Sequence, residues 1–177
     1  MKIYLRPVTL DDGAMLVKWR NTPSVAEHCF NKHLITLESN EKFFHTYVET
    51  GLYRQYIVER IEEDFGVASY SIATVYLKDI DRHNKRCELC IFTSDDEEWN
   101  SESQSIAIQK LLEIAFGEFE MNKVYSYVFV QNEDEVKLLE KAGFQKEALL
   151  QNEAVRLDGT FADVYRMRIF TQSFYKI

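Results

Sequence analysis

The stretch from Arg86 to Phe144 holds the side chains whose types and spacing could do chemistry. Glu88 lies in an apparent strand and offers a carboxylate, a group that can accept a proton. Three serines stand at the start of the helix that follows: Ser101, Ser103 and Ser105. Backbone N–H groups and the helix dipole make such a start favourable for an anion. Asn132 comes after a second apparent strand, where it can cap the next helix or reach a ligand.

The apolar pattern predicts the elements that must position these side chains. Strands are expected at 86–93 and 123–130, with a helix between them that runs to about Phe119 and a short helix at 133–141. The middle helix carries one apolar stripe, made by Ile108, Leu111, Leu112, Ala115 and Phe119. That spacing is typical of a helix packed on a sheet.

The rest of the chain predicts further strands around this centre. A first strand is expected at 2–6, helices after Thr9 and at 38–49, and adjacent strands at 53–60 and 66–76, joined by a charged turn at 62–64. A turn at 157–160 joins two final paired strands. The order predicts one α/β (α+β) domain over residues 1–177, with a mixed, mostly antiparallel twisted sheet flanked by helices.

Composition narrows the class of function. The chain has 177 residues, is 46% hydrophobic and carries a formal net charge of −8. These values favour a globular protein with an ample core. The negative charge argues against binding to nucleic acid or to an anionic membrane, and it is compatible with an amine substrate.

Cysteine and histidine usage predicts neither a disulfide framework nor a metal site. Cys87 and Cys90 are three residues apart in an apparent strand, so their side chains point to opposite faces. The four histidines lack the spacing of metal ligands. With no apolar signal segment and no run of membrane-spanning length, the expected location is the cytoplasm.

The succession of elements from Arg86 to Phe144 resembles the cofactor-binding half of the GNAT acetyltransferases. Residues 5–12 (LRPVTLDD) look like the opening of the branch that includes ribosomal-protein N-terminal acetyltransferases. Residues 19–21 (WRN), with His33 and 36–38 (TLE) downstream, are similar to acetyltransferases that act on amino-sugar nucleotides in surface-glycan synthesis.

The family's closing motifs are matched in the last third of the chain. They are Asn132, residues 138–144 (LLEKAGF), Gly159 and residues 163–165 (DVY). The run that ends in Gly143 and Phe144 is the most specific of these. Together with the opening segments, the resemblance spans almost the whole chain.

The resemblance implies acetyl transfer from acetyl-CoA to a primary amine, without a metal. Glu88 stands at the family's usual position for the base that takes the proton of the attacking ammonium. Two parted strands would hold the pantetheine arm, and a helix start would hold the pyrophosphate. The residues implied to bind the cofactor are Ile91, Phe92, Thr93, Asn100, Ser101, Ser103, Ser105 and Asn132.

Glu88 needs a special environment to serve as a base. An exposed glutamate has a pKa of about 4.3 and is a weak base for an amine. Burial, or relay through water, would bring it closer to the operating pH. The other reading is a surface carboxylate that balances Arg86.

The pyrophosphate loop departs from the family pattern, which is Q/R-x-x-G-x-G/A. Residues 100–105 read NSESQS, with serine in place of each glycine. A left-handed backbone there would cost roughly 1–2 kcal/mol per non-glycine residue. Five carboxylates surround the loop: Asp95, Asp96, Glu97, Glu98 and Glu102. Their charge opposes the binding of an anion.

The group that protonates the leaving thiolate also differs from the family. Leu139 occupies the place of the tyrosine found in many members, and leucine cannot donate a proton. Tyr125 or Tyr127 on the preceding strand is the available substitute, and Tyr127 is the predicted one, although a strand tyrosine often serves only for packing.

Residues of the first helix complete the predicted site. Arg20 and Asn21 are expected to bind the acceptor, while the alternative for Arg20 is to neutralise the helix C-terminus. The acceptor is a small-molecule or peptide amine, with an amino-sugar nucleotide or a protein N-terminus as the leading choices. The sequence is compatible with a homodimer. The alternative function is a non-catalytic GNAT-fold binding module that has lost tight CoA binding.

Overall fold

One sheet organises the chain, and the seven strands of the described residues pair in the order β1-β2-β3-β4-β5-β7-β6. The computed structural model describes residues 1–63, 67–92 and 94–176. The strands are β1 (Lys2–Pro7), β2 (Arg54–Glu62), β3 (Ala68–Asp81), β4 (Arg86–Phe92), β5 (Lys123–Phe129), β6 (Gln145–Val155) and β7 (Phe161–Phe170). Neighbours are antiparallel except β4 and β5, which are parallel. The predicted fold class is therefore confirmed.

Helices cover both faces of the sheet. They are α1 (Gly13–Asn21), α2 (Pro23–Ala26), α3 (Leu37–Phe43), α4 (Ser101–Glu113), α5 (Glu133–Lys141) and α6 (Thr171–Phe174). A π-helical segment continues α3 over Phe44–Val48, and another continues α4 over Ile114–Glu118. The predicted helix from Ser101 to about Phe119 thus consists of two helical forms.

The core lies between the sheet and α4. Four residues of the predicted stripe are fully buried there: Ile108, Leu111, Leu112 and Ala115. Phe119 packs against the same core from a partly buried position. Cys87 and Leu89 of β4 belong to this core, so the intervening side chains of β4 point to the opposite face.

On that opposite face, α1 and the π segment after α3 form a smaller cluster. Leu16 and Trp19 of α1 pack with Val8 and Ile57. Glu88 and Cys90 project from β4 towards this side of the sheet, because side chains alternate along a strand. The fold therefore places the candidate base on the side of α1 and α3.

Two local predictions are refined by the structure. β3 continues to Asp81, beyond the predicted end at 76, with a register irregularity between Lys78 and Asp81. In the predicted charged turn at 62–64, Asp64 lies outside the described residues. Gly143 adopts a φ of 94°, a conformation that favours glycine, and thereby ends α5 ahead of the buried Phe144.

Candidate active site

β4 and β5 lie side by side only at their first residues. Parallel pairing joins three residue pairs: Arg86 with Lys123, Cys87 with Val124, and Glu88 with Tyr125. Among the described residues, no later residue of β4 pairs with β5. On its other side, β4 stays paired with β3 as far as Phe92. The strands therefore part after Glu88, which provides the opening expected for a pantetheine arm.

A cavity of about 420 Å³ lies at this opening. Its sheet-side wall consists of Tyr76, Lys78, Glu88, Cys90, Ile91 and residues 126–129. The opposite wall comes from α1, α3 and the segment after α2, and includes Arg20 and Phe43. A volume of several hundred cubic ångströms is typical of a small-molecule site.

Glu88 is buried in the wall of this cavity, with 4% of its surface exposed. The Lys78 ammonium lies 3.2 Å from its Oε1 atom, and the Cys90 thiol donates a hydrogen bond to the same oxygen at 3.2 Å. Burial raises the pKa of the Glu88 carboxyl, while the charge of Lys78 opposes that rise. Arg86 pairs instead with Asp81 at 3.5 Å, so the surface reading of Glu88 is wrong.

Sequence reasoning missed the residues that surround Glu88. Lys78 stands directly opposite Glu88 across the β3–β4 pair, and Tyr76 stands opposite Cys90. The pKa of Lys78 lies above its ordinary value because the neighbouring Cys90 and Glu88 outweigh burial, which alone would lower it. Alternation along β4 is the sequence signal that places Cys90 beside Glu88, but the register with β3 had no such signal.

A cluster of three aromatic side chains faces the same cavity. Tyr53 stacks on Tyr76 with ring centroids 5.7 Å apart, and Phe43 meets Tyr53 edge-on at 5.2 Å. All three residues line the cavity together with Glu88. Aromatic faces attract ammonium groups, so this group suits the amine end of an acceptor.

The structure separates the two candidate tyrosines. Tyr127 lines the cavity, whereas Tyr125 is buried outside its lining. Burial raises the pKa of Tyr125 to about 12. The Arg166 guanidinium lies over both rings, 4.4 Å from the Tyr125 centroid and 5.8 Å from that of Tyr127. Leu139 is fully buried in the core. Tyr127 is thus the tyrosine of this pair that faces the cavity.

At the start of α4, polar side chains form a closed cap. The Asn100 side chain accepts hydrogen bonds from the backbone N–H groups of Glu102 at 3.0 Å and Ser103 at 3.4 Å. The Ser103 hydroxyl is fully buried, accepts from the Asn100 N–H at 2.9 Å and donates to the backbone carbonyl oxygen of Glu98 at 2.6 Å. Asn100 and Ser103 therefore hold the helix start in shape. Two of its N–H groups are already used.

The other predicted loop residues lie nearer the surface. The Ser105 hydroxyl donates to the Ser101 carbonyl oxygen at 2.7 Å, a bond within the helix. Asp95, Asp96 and Glu97 are exposed. The negative charge at this end of the site therefore disfavours the binding of phosphate groups. The parted strands and the cavity fit the acetyl and pantetheine end of acetyl-CoA better.

Asn132 caps α5 and links two titratable side chains. Its Oδ1 atom accepts from the Glu135 N–H at 3.4 Å, and its Nδ2 atom lies 2.6 Å from Glu135 Oε2 and 3.2 Å from His28 Nδ1. Glu135 and His28 both line the cavity. Burial raises the pKa of Glu135 to about 7. Asn132 thus connects α5 to the segment that closes the cavity.

Arg20 and Asn21 differ in their contacts, because only Arg20 lines the cavity. Arg20 is buried, lines the cavity and donates to the Asn31 carbonyl oxygen. The Asn21 side chain instead holds the chain after α2, since it donates to the Ile35 carbonyl at 2.8 Å and accepts from the Ile35 N–H at 2.9 Å. Asn21 is not among the cavity-lining residues and positions the wall that Arg20 belongs to.

Two of the predicted cofactor residues, Ile91 and Phe92, belong to β4. Ile91 lines the cavity, Phe92 ends the strand, and Thr93 lies outside the described residues. Across the described ranges, no group of three or more His, Cys, Asp or Glu side chains is placed to hold a metal ion. Within the same ranges, every helix is too short or too polar to cross a membrane.

Comparison with known proteins identifies the family. The profile of the acetyltransferase (GNAT) domain matches residues 2–145, most of the chain. The chain therefore belongs to the GNAT acetyltransferases. Membership confirms the predicted enzyme class, acetyl-CoA as co-substrate, and an amine as the acceptor.

Individual relatives share fewer than a quarter of their aligned residues with this chain. The chain is 23% identical over 178 residues to the uncharacterized N-acetyltransferase p20 of Bacillus licheniformis, covering 98% of this chain and 95% of the relative. It is 21% identical over 173 residues to the spermidine N(1)-acetyltransferase of Vibrio cholerae, with the same coverage. A crystal structure of the V. cholerae spermidine N-acetyltransferase with CoA and spermine superposes with a TM-score of 0.88, at 22% identity and 98% coverage of both chains.

These relatives bear on the predicted branch. The acceptor named for the V. cholerae enzyme is a polyamine, whereas the sequence motifs favoured the ribosomal-protein and amino-sugar branches. The family assignment is thus confirmed at the level of the GNAT acetyltransferases, and the branch stays a prediction.

Proposed function

We propose that this chain transfers the acetyl group of acetyl-CoA to the primary amine of a small-molecule or peptide acceptor bound between the parted strands and α1–α3. The observation that carries the proposal is Glu88, a buried carboxylate that faces the cavity where β4 and β5 part. Its raised pKa makes it a stronger base than an exposed glutamate.

Each group then has a defined task. Glu88 accepts a proton from the acceptor's ammonium, directly or through water. The amine nitrogen forms a bond to the acetyl carbonyl carbon, and the bond from that carbon to sulfur breaks. Tyr127 donates its phenolic proton to the sulfur. As the amide forms, the nitrogen loses a second proton to solvent, and the Glu88 proton also passes to solvent. One of these two protons restores the Tyr127 phenol, so the products are an N-acetyl amide, CoA and one released proton.

The cofactor contacts are proposed along two elements. The unpaired edge of β4 at Ile91 and Phe92 offers backbone groups to the pantetheine arm. The start of α4, held by Asn100 and Ser103, would present the Ser101 N–H and the helix dipole to the phosphates. Asn132 and Ser105 remain predicted contacts, and Thr93 keeps its predicted role on sequence grounds alone.

The acceptor's amine end is proposed to lie against Phe43, Tyr53 and Tyr76, beside Glu88. The named relatives make spermidine one candidate acceptor. The sequence motifs make an amino-sugar nucleotide or a protein N-terminus the others. Diamines, amino sugars and short peptides therefore form the first panel of acceptors.

The test combines calorimetry with turnover. Wild-type protein should bind acetyl-CoA and CoA with micromolar affinity and acetylate at least one member of the panel. Glu88→Gln should retain CoA binding and lose turnover. Absence of binding at millimolar cofactor would overturn the proposal in favour of a non-catalytic binding module.

Tyr127→Phe tests the proton donor separately. The substitution removes only the phenolic oxygen, so we expect kcat to fall by about 10²-fold while the Kd of CoA stays unchanged. Tyr125→Phe is the matched control, because Tyr125 is not among the cavity-lining residues and should retain activity. Equal activity of Tyr127→Phe and wild type would show that the thiolate leaves without this donor.

A further inference from the structure

Arg20 is a buried cation whose hydrogen-bond donors are only partly satisfied by the protein. Its side chain is 6% exposed, and its Nη2 atom donates to the Asn31 carbonyl oxygen. Its Nη1 atom is buried and has no hydrogen-bond partner in the part of the chain that the structure describes. A buried donor without a partner is destabilising, and more so when it carries a charge. This donor belongs to a side chain that lines the cavity.

Positive charge gathers around this guanidinium. Burial lowers the pKa of Lys32, and the charge of Arg20 adds to that effect, whereas Cys29 and Glu27 oppose it. Arg20 and Lys32 also both act to lower the pKa of the Cys29 thiol, which burial raises. Within the described ranges, neither cation forms an ion pair with a carboxylate. The nearby Glu27 carboxylate pairs instead with His28, whose Nε2 atom lies 3.2 Å from Glu27 Oε1. Arg20 is therefore left without a carboxylate at ion-pair distance among the described residues.

The remaining charged groups at the cavity do not supply one. Glu88 already has Lys78 as its partner at 3.2 Å. The Glu135 carboxylate accepts a hydrogen bond from Asn132 Nδ2 at 2.6 Å and forms no ion pair with Arg20 within the described ranges. Burial also raises its pKa to about 7, which weakens its negative charge. His28 lies beside Asn132 and adds no negative charge. An anion from outside the protein would balance Arg20.

We propose that the acceptor carries a carboxylate or phosphate that accepts a hydrogen bond from Arg20 Nη1, while its primary amine faces Glu88 on the opposite wall. This inference rests on the proposed function and narrows its substrate class to amines with a negatively charged group. A polyamine would bring a second ammonium towards the guanidinium, and like charges repel strongly in a cavity shielded from water.

A matched set of four-carbon amines tests this preference on the wild-type protein. Calorimetry with saturating CoA compares 4-aminobutanoate, butylamine and putrescine, which differ at the end away from the shared amine. We expect 4-aminobutanoate to bind about tenfold more tightly than butylamine, as one charge-assisted hydrogen bond predicts. Putrescine should bind no better than butylamine. Tighter binding of putrescine, or no binding of 4-aminobutanoate, would overturn the proposal.

Arg20→Gln identifies the group responsible. The variant should lose the preference for 4-aminobutanoate over butylamine and keep the wild-type Kd for CoA alone. Arg82→Gln, which removes an exposed arginine outside the cavity, is the matched control. If Arg20→Gln weakened CoA alone and kept the preference, the guanidinium would serve the cofactor and the proposal would fail.

Binding and turnover separate this inference from the proposed function. Tight binding of 4-aminobutanoate without acetylation of any amine would contradict the transferase and leave the anion site standing. Acetylation of putrescine in preference to 4-aminobutanoate would support the transferase and refute the anion site.

Discussion

Glu88 and Arg20 are both buried charged side chains in the walls of one cavity, yet their surroundings differ. Glu88 has its counter-charge within the protein, since Lys78 lies 3.2 Å away and Cys90 donates to the same oxygen. Arg20 has a backbone carbonyl as partner for one nitrogen and, among the described residues, no hydrogen-bond partner for another. A buried charge that is paired can be held ready for proton transfer, whereas an unpaired one is costly until a ligand balances it.

The largest expected effect is the loss of activity when Glu88, the paired charge, is replaced. Glu88→Gln removes the proton acceptor and keeps the side-chain shape, so kcat/KM should fall by about 10²- to 10⁴-fold. In the wild type, kcat/KM should rise with pH through a pKa above that of an ordinary carboxylate, because burial raises the pKa of Glu88. Steady-state pH profiles measure both. A wild-type profile without this rise would contradict the role of Glu88.

Lys78→Met breaks the pair and leaves the buried Glu88 with the Cys90 hydrogen bond but without a counter-charge. The free energy of unfolding should fall by about 3 kcal/mol near neutral pH. Loss of the ammonium raises the pKa of Glu88 further, so the folded state binds this proton more tightly than the unfolded chain. Stability should therefore fall as the pH rises through the folded-state pKa, and the loss should be smaller near about pH 5 than near about pH 8.

Denaturant unfolding of Lys78→Met at both pH values checks this expectation. Lys78→Arg, which keeps the positive charge, is the matched control and should remain closer to the wild type. An equal loss of stability at both pH values would mean that Lys78 contributes by packing and not by charge.

In contrast to Lys78→Met, Arg20→Met should not destabilise the ligand-free protein. It removes an unbalanced buried charge at the expense of one hydrogen bond, so the free energy of unfolding should be unchanged or rise by up to about 1 kcal/mol. Arg6→Met is the comparison, because Arg6 bonds Asp12 at 2.8 and 2.9 Å and Glu59 at 3.1 Å. Denaturant unfolding should show a clear loss for Arg6→Met. A similar loss for Arg20→Met would erase the contrast between paired and unpaired charges.

The smallest expected effect concerns unpaired charges on the surface, in the loop before α4. Asp95 and Glu97 are exposed and form no ion pair among the described residues. Replacing both with Asn and Gln should tighten CoA binding about threefold at low salt, and the gain should shrink at high salt. Glu153→Gln on the exposed part of β6 is the control and should leave the Kd unchanged. An unchanged Kd in the double variant would place the phosphates away from this loop.

Much of the fold could be predicted because its signals are local. The stripe from Ile108 to Ala115 predicts a helix face, and the structure buries those residues fully. The run that ends in Gly143 and Phe144 predicts the end of α5, where a positive φ and a buried ring occur together. Period and turn chemistry act over a few residues, so they can be read without knowledge of partners.

The site was predicted less fully. Glu88, Tyr127, Ile91 and Arg20 were named from sequence, and the structure brings them to one cavity. The resemblance implies that Ser103 contacts the phosphates, but the structure buries it within the helix cap. Local capping chemistry and anion binding use the same serine and asparagine residues, so the sequence pattern is the same for both.

The sequence by itself determined the alternation that puts Glu88 and Cys90 on one side of β4, because strand geometry has a period of two. Only the tertiary structure decided which residues meet Glu88 and Arg20. Lys78 reaches Glu88 through the register of β3 and β4, and Asn31 reaches Arg20 through the path of the chain after α2. Such contacts depend on how separate elements pack, and so does the lack of an ion pair at Arg20 within the described residues.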